Sequence, residues 1–86
     1  MENNKLASTL DTLTKYMAEN GERELVCELT PEILSTDREK LDRITDALIA
    51  LICKIGVDES FQPNVHGVIL DGCLEVLNEF RKENFN

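Results

Sequence analysis

The apolar positions of residues 36–56 lie at the spacing of one helix face. They recur at three- and four-residue steps, as Leu41, Ile44, Leu48, Leu51, Ile52 and Ile55. Thr36 followed by Glu39 predicts a capping box at the start of this helix, and Gly56 predicts a left-handed cap at its end. The second half, residues 47–53, is apolar on every side. We therefore expect that half to be covered on every side by other elements.

Another helix is predicted earlier in the chain, from about Asn4 to Asn20, with Gly21 at its end. Its apolar stripe is narrow and consists of Leu6, Leu10, Leu13 and Met17. A narrow stripe buries only one seam, so this helix is expected to pack on the outside of the fold.

The last predicted helix covers about residues 64–83. At 3.6 residues per turn its apolar arc spans roughly half the circumference, and it consists of Val65, Ile69, Leu70, Cys73, Leu74, Val76, Leu77 and Phe80. Gly67 and Gly72 lie within it, and a helical glycine costs about 1 kcal/mol relative to Ala. Alternatively, these glycines mark a late helix start or a close crossing of two backbones.

Residues 22–35 carry conflicting patterns. Leu25, Cys27 and Leu29 alternate with acidic residues as in a half-buried strand, yet part of the segment also fits a helical face. The sequence Thr-Pro-Glu at 30–32 has the cap, first-turn proline and early acid of a short helix. A lone strand would need a second copy of itself or another segment for its hydrogen bonds. A short helix or an extended connector is therefore the favoured prediction.

The predicted fold class is all-α, with three main helices and a short connecting element in a small helical bundle. Residues 1–86 are expected to form a single small domain, and a hydrophobic content of 42% is sufficient for a folded core. Aromatic residues make up only 5% of the chain. A core of Leu, Ile and Val suits packed helices better than an aromatic-lined ligand pocket.

The apolar surface of the central and last helices predicts a homodimer. Three helices in a small chain give each helix two neighbours, and helix packing covers only part of a helix circumference. A dimer with a shared core would cover the remainder. The expected self-association interface consists of Leu48, Ile49, Leu51, Ile52, Ile55, Leu70, Leu74 and Leu77. The alternative is a monomer whose bundle is completed by residues 22–34.

The charge balance adds a constraint on partners. Seventeen acidic and nine basic residues give a formal net charge of −8. Affinity for nucleic acid comes mainly from Lys and Arg that neutralise phosphates, so direct nucleic-acid binding is disfavoured. A protein with a basic or apolar surface is the expected partner.

Targeting signals and cysteine usage predict a cytoplasmic protein without a membrane span. The N-terminus shows no basic segment followed by an apolar run, and the longest apolar run, Ala47 to Cys53, is far shorter than a bilayer requires. Three cysteines at wide spacings do not form a disulfide framework. Reduced thiols in a reducing compartment are the simplest interpretation.

The sequence gives little indication of a metal site or a catalytic site. Cys27, Cys53, Cys73 and His66 lack the short ligand spacings of structural zinc sites, so no metal and no cofactor is predicted. Each cysteine lies in an apolar run, which raises a thiol pKa and leaves the thiol inert, as expected of buried cysteines. With no phosphate-binding loop or catalytic grouping of side chains, we predict that the protein is not an enzyme.

The central helix is not predicted to bind DNA, although it carries Arg38, Lys40 and Arg43. They are interleaved with acidic residues, so the local field is not positive. Glu39 and Arg43 have the four-residue spacing of an ordinary helix-surface ion pair.

One acidic cluster recurs regularly: Asp71, Glu75, Glu79 and Glu83 form a row along one helix face. We call these four residues the acidic row. Such rows are usually solvated surface, but this one also suits a basic partner. The predicted function is therefore a small non-enzymatic interaction or regulatory protein that acts through protein–protein contacts. The alternative is an inhibitor that mimics nucleic acid and occupies the basic cleft of a nuclease or DNA-binding protein.

Overall fold

Four helices follow one another in the computed structural model, which describes residues 3–85. They are α1 (Asn3–Glu19), α2 (Pro31–Thr36), α3 (Arg38–Ile55) and α4 (Val65–Asn84). Within this described range there is no β-strand, only an isolated antiparallel bridge between Val57 and Pro63. The predicted all-α fold with three long helices and a short connecting element is confirmed.

Helix α1 ends where the sequence predicts. Gly21 has a φ of +87°, a left-handed value that glycine adopts without steric cost. The turn is closed by Asn20 and Glu22, whose N–H groups donate to the Met17 carbonyl at 3.1 and 2.8 Å. The four-residue apolar stripe of α1 is entirely buried.

Residues 22–36 form turns followed by the short helix α2. Val26 is buried whereas Cys27 is exposed, so the strand-like alternation does not describe how this segment packs. Thr30 caps α2, and its hydroxyl accepts a hydrogen bond from the Ile33 N–H at 3.2 Å. Leu34 is the buried residue of α2. Helix α2 packs against α1 and α3, and this segment therefore covers part of the bundle.

The predicted capping box at the start of α3 is wrong by one residue. Thr36 is the last residue of α2, and its hydroxyl donates to the Glu32 and Ile33 carbonyls at 3.2 Å each. Asp37 is the cap instead, because its carboxylate accepts from the Lys40 N–H at 3.0 Å. An ionised carboxylate at this position also interacts favourably with the helix dipole.

The predicted left-handed cap at Gly56 is also wrong. Gly56 has φ −90° and ψ −1°, which any residue can adopt, so its role is spatial. A β-carbon on Gly56 would lie 2.9 Å from the α-carbon of Gly67. Conversely, a β-carbon on Gly67 would lie 2.9 Å from the Gly56 carbonyl carbon and still closer to its oxygen. The two glycines therefore allow the end of α3 and the first turn of α4 to pack backbone to backbone.

Asn64 forms hydrogen bonds to both helices next to this glycine contact. Its side-chain oxygen caps α4 by accepting from the Gly67 N–H at 2.9 Å, while its amide nitrogen donates to the Ile55 carbonyl at 2.8 Å. Its backbone N–H donates to the Gly56 carbonyl at 3.0 Å. One residue thus supplies hydrogen-bond partners to both the C-terminus of α3 and the N-terminus of α4.

Replacing Asn64 should separate these two roles. Asn64→Ala removes both side-chain bonds and is expected to lower the free energy of unfolding by about 2 kcal/mol. Asn64→Ser keeps a capping acceptor and loses the donor to Ile55, so it should lower stability by roughly half as much. Urea unfolding followed by circular dichroism measures both. Equal losses in the two variants would contradict a contribution from the cap.

The core lies between the helices and draws on all four of them. Its members are Leu6, Leu10, Leu13, Met17, Val26, Leu34, Leu41, Ile44, Leu48, Leu51, Leu70, Cys73, Val76, Leu77 and Phe80. The most extensive helix contact is between α3 and α4. Near its far end the Arg81 guanidinium pairs with Asp42 and donates to the Thr45 hydroxyl at 3.2 Å. None of the helices described is long and apolar enough to cross a membrane.

Candidate interaction surface

The first two turns of α4 and the loop before them expose four large apolar side chains. Phe61 is 83% exposed, Val65 72%, Val68 66% and Ile69 41%. We call these four residues the apolar surface. Val65 and Ile69 belong to the predicted apolar arc of the last helix, and the fold leaves both of them exposed. They lie at one edge of the arc, beyond the part of α4 that its neighbours cover.

Phe61 is held outward by an ordered loop. The Asp58 carboxylate accepts from the N–H groups of Ser60 and Gln62 at 2.8 and 3.0 Å, and the Asp58 N–H donates to the Gln62 carbonyl at 2.9 Å. Phe61 itself has a φ of +61°, which costs a bulky residue on the order of 1–3 kcal/mol. The hydrogen-bonded, strained backbone of this loop thus directs a large apolar side chain into solvent.

A shallow groove lies beside this surface on the outer face of α4. Its volume is about 270 Å³, and it is lined by Pro63, Gly67, Val68, Asp71, Gly72 and Glu75. We call it the Gly72 groove. A β-carbon on Gly72 would meet nothing within 4 Å, so this glycine, unlike Gly67, marks open space. Pro63 and Val68 contribute apolar surface to the groove, and Asp71 and Glu75 contribute carboxylates.

The acidic row follows the same outer face towards the C-terminus of α4, and all four of its residues are exposed. Within residues 3–85, Asp71, Glu75 and Glu79 make neither an ion pair nor a side-chain hydrogen bond. Three carboxylates adjacent to exposed apolar side chains therefore face solvent without a basic partner from the described chain.

The predicted self-association interface is divided by the fold. Leu48, Leu51, Leu70 and Leu77 are buried in the chain's own core. Ile52, Ile55 and Leu74 are partly buried against that core, and Ile49 is 46% exposed. The apolar half of α3 is thus covered on one side by the chain itself, whereas Ile49, Ala50 and Cys53 remain exposed.

The residues weighed as metal ligands or nucleophiles are not assembled into one site. Cys73 is buried, and its burial raises the pKa of its thiol. Cys27 and Cys53 are exposed, which corrects the expectation that the cysteines are buried. His66 is exposed and shares a 2.9 Å hydrogen bond with the Tyr16 hydroxyl. No group of three or more His, Cys, Asp or Glu side chains in the described chain is placed to hold a metal ion.

The three thiols are expected to differ in reactivity. Cys27 and Cys53 should be alkylated readily by iodoacetamide in the native protein at about pH 8, since a thiolate reacts once it is accessible. Cys73 should react only in denaturant, because its burial keeps the reagent away and its raised pKa lowers the fraction of thiolate. Mass spectrometry of digested protein checks this by locating the adducts. Alkylation of Cys73 at the rate of the other two would contradict the packing described.

A second depression, of about 530 Å³, lies between the turn after α1 and the start of α3. It is lined by Glu22, Glu24, Leu25, Asp37, Glu39, Lys40 and Arg43. Asp37 caps its own helix, and Glu39 lies 4.0 Å from Arg43 in the predicted ion pair. The charges here are of both signs and partly paired, so this depression does not have the apolar character of the α4 face.

The α4 face therefore combines what a binding surface needs: exposed apolar side chains, an open groove and unpaired charge of one sign. The sequence pattern selected the acidic row on this face. It did not select Phe61, Val68 or the Gly72 groove. Comparisons with protein-family models, with characterised proteins and with solved structures give no match to this chain.

Proposed function

We propose that this protein is a small non-enzymatic interaction or regulatory protein that acts by binding another protein. The observation that carries the proposal is the apolar surface, whose four side chains lie within residues 61–69 and are 41–83% exposed. A group of exposed large apolar residues on a small protein is often a binding site. The unpaired carboxylates beside them favour a partner whose surface is basic as well as apolar.

Capture from an extract of the source cells tests this function. Immobilised wild-type protein should retain a partner that mass spectrometry identifies. The double variant Phe61→Ser with Val65→Ser should lose it. Ala7→Ser with Cys27→Ser is the matched control, because it places two serines at exposed apolar positions outside this surface. The retained protein is then purified and its affinity measured for all three forms. Failure of wild-type protein to retain anything above bare matrix would overturn the proposal.

A second candidate function is inhibition by nucleic-acid mimicry, which the exposed acidic row favours. Side chains one helical turn apart are separated by about 5–6 Å, a spacing not far from that of phosphates along a strand. Mimicry uses the whole acidic row, so it predicts that Glu79→Lys, outside the Gly72 groove, abolishes binding while Phe61→Ser has little effect. Binding through the apolar surface would tolerate Glu79→Lys and be lost with Phe61→Ser.

Two further expectations belong to this proposal. The cytoplasm is the proposed location because free, exposed thiols such as Cys27 and Cys53 suit a reducing compartment.

Self-association is proposed through the accessible part of α3, where Ile49 is the exposed member of the predicted interface. Sedimentation of the wild-type protein at micromolar concentration tests the homodimer directly, since a dimer gives twice the mass of the chain.

A further inference from the structure

We infer that the Gly72 groove binds an amphipathic helix of the partner protein, with a Lys or Arg side chain of that helix seated between Asp71 and Glu75. The inference rests on the proposed function, which it deepens by naming the site and the chemistry of its occupant. It begins from the spacing of four residues on α4. Val65, Val68, Ile69 and Gly72 stand at positions i, i+3, i+4 and i+7, the spacing by which one helix packs along another.

The groove has the dimensions of a side-chain site. Its volume of about 270 Å³ is below the usual range for small-molecule pockets, which is roughly 300–1,000 Å³. Gly72 leaves space where any other residue would place a β-carbon. A side chain from a neighbouring helix can enter that space and contact the α4 backbone.

The lining of the groove selects the kind of side chain. Val68 and Pro63 supply apolar contact, while Asp71 and Glu75 supply negative charge one turn apart. Lys and Arg match this arrangement because each has an apolar stem and a cationic end. The apolar surface next to the groove then covers the apolar side of the same partner helix.

Charge complementarity favours another protein over a second copy of this chain. Each copy carries a net charge of −8, and packing α4 against α4 would bring two acidic rows together. The basic residues in the last turn of α4 are Arg81, which already pairs with Asp42, and Lys82. The basic side chain that pairs with Asp71 and Glu75 is therefore expected to come from a different, basic protein.

A designed peptide tests this site before the partner has been identified. The probe is a labelled Leu/Lys helix of roughly 18 residues, long enough to form turns in solution. Its leucines are placed at i, i+3, i+4 and i+7, and its lysines flank them. A scrambled peptide of equal composition and charge has no apolar face. Fluorescence anisotropy gives the Kd, and amide chemical shifts locate the contact.

Three variants probe the groove, each with a matched control elsewhere. Gly72→Phe fills the groove without changing charge, and Ala7→Phe adds the same ring to an exposed position of α1. Val68→Ser is matched by Ala7→Ser, which places a serine at that same exposed position. Asp71→Asn with Glu75→Gln is matched by Asp11→Asn with Glu19→Gln, which removes the same charge from exposed positions of α1.

The expected result is a rise in Kd of at least about tenfold for each groove variant, as for residues at the centre of an interface. The matched controls should stay within about twofold, and shift changes should centre on Val68 and Gly72. Equal binding of the scrambled peptide, no binding to wild-type protein, or full binding to Gly72→Phe would overturn the inference. If the captured cellular partner still binds Gly72→Phe, the site is wrong while the proposed function stands.

Discussion

Replacing Gly67 with alanine is expected to destabilise this protein by roughly 2–3 kcal/mol, despite alanine's higher helix propensity. The new β-carbon would overlap the Gly56 carbonyl group, with its carbon at 2.9 Å and its oxygen closer still. Both contacting groups are backbone, so no side chain can turn away to relieve the overlap. Helices α3 and α4 must instead move apart where they are most closely packed.

Thermal unfolding followed by circular dichroism measures the effect. In a chain of this size each kcal/mol lowers Tm by roughly 4–8 °C, so Gly67→Ala should melt at least about 8 °C below the wild type. Gly72→Ala is the matched control, since it makes the same substitution in the same helix where the β-carbon meets nothing. It should raise stability by up to about 1 kcal/mol. Similar changes in the two variants would show that the glycine contact does not determine the packing.

Helical periodicity made the three long helices predictable from sequence. Each has apolar residues at three- and four-residue steps and recognisable end residues, so local pattern and tertiary burial agree. Their exact ends were less predictable. Thr36 and Asp37 are both good capping residues, and the choice between them depends on α2, which occupies Thr36 as its last residue.

The candidate surface was harder to predict because exposure depends on neighbouring helices. Val65 and Leu70 both belong to one apolar arc, but only Leu70 lies where the other helices cover it. Two signals were nevertheless present in the sequence. Phe61 is an aromatic residue within an otherwise polar connector, and Val68 with Gly72 extends the stripe from Val65. A glycine alone does not reveal its role from sequence, since Gly67 marks close packing whereas Gly72 marks open space.

The self-association prediction now depends on distinguishing core residues from surface residues of α3. Ile49 and Leu51 lie two residues apart in sequence and were assigned to the same interface. Leu51 is only 7% exposed, whereas Ile49 is 46% exposed. A substitution that unfolds the chain would abolish assembly for a trivial reason. The two positions must therefore be tested as a pair.

Leu51→Asp is expected to unfold the protein. Removing a buried leucine costs about 2–5 kcal/mol, and burying an unpaired carboxylate adds several more, which together match the whole stability of a small domain. Ile49→Asp places the same charge in a more exposed position and should cost no more than about 1 kcal/mol. Circular dichroism tests folding in each variant, and native helix content in Leu51→Asp would contradict the core assignment. Sedimentation then tests assembly: a wild-type dimer that Ile49→Asp converts to a folded monomer would support self-association through α3, and a wild-type monomer would exclude it.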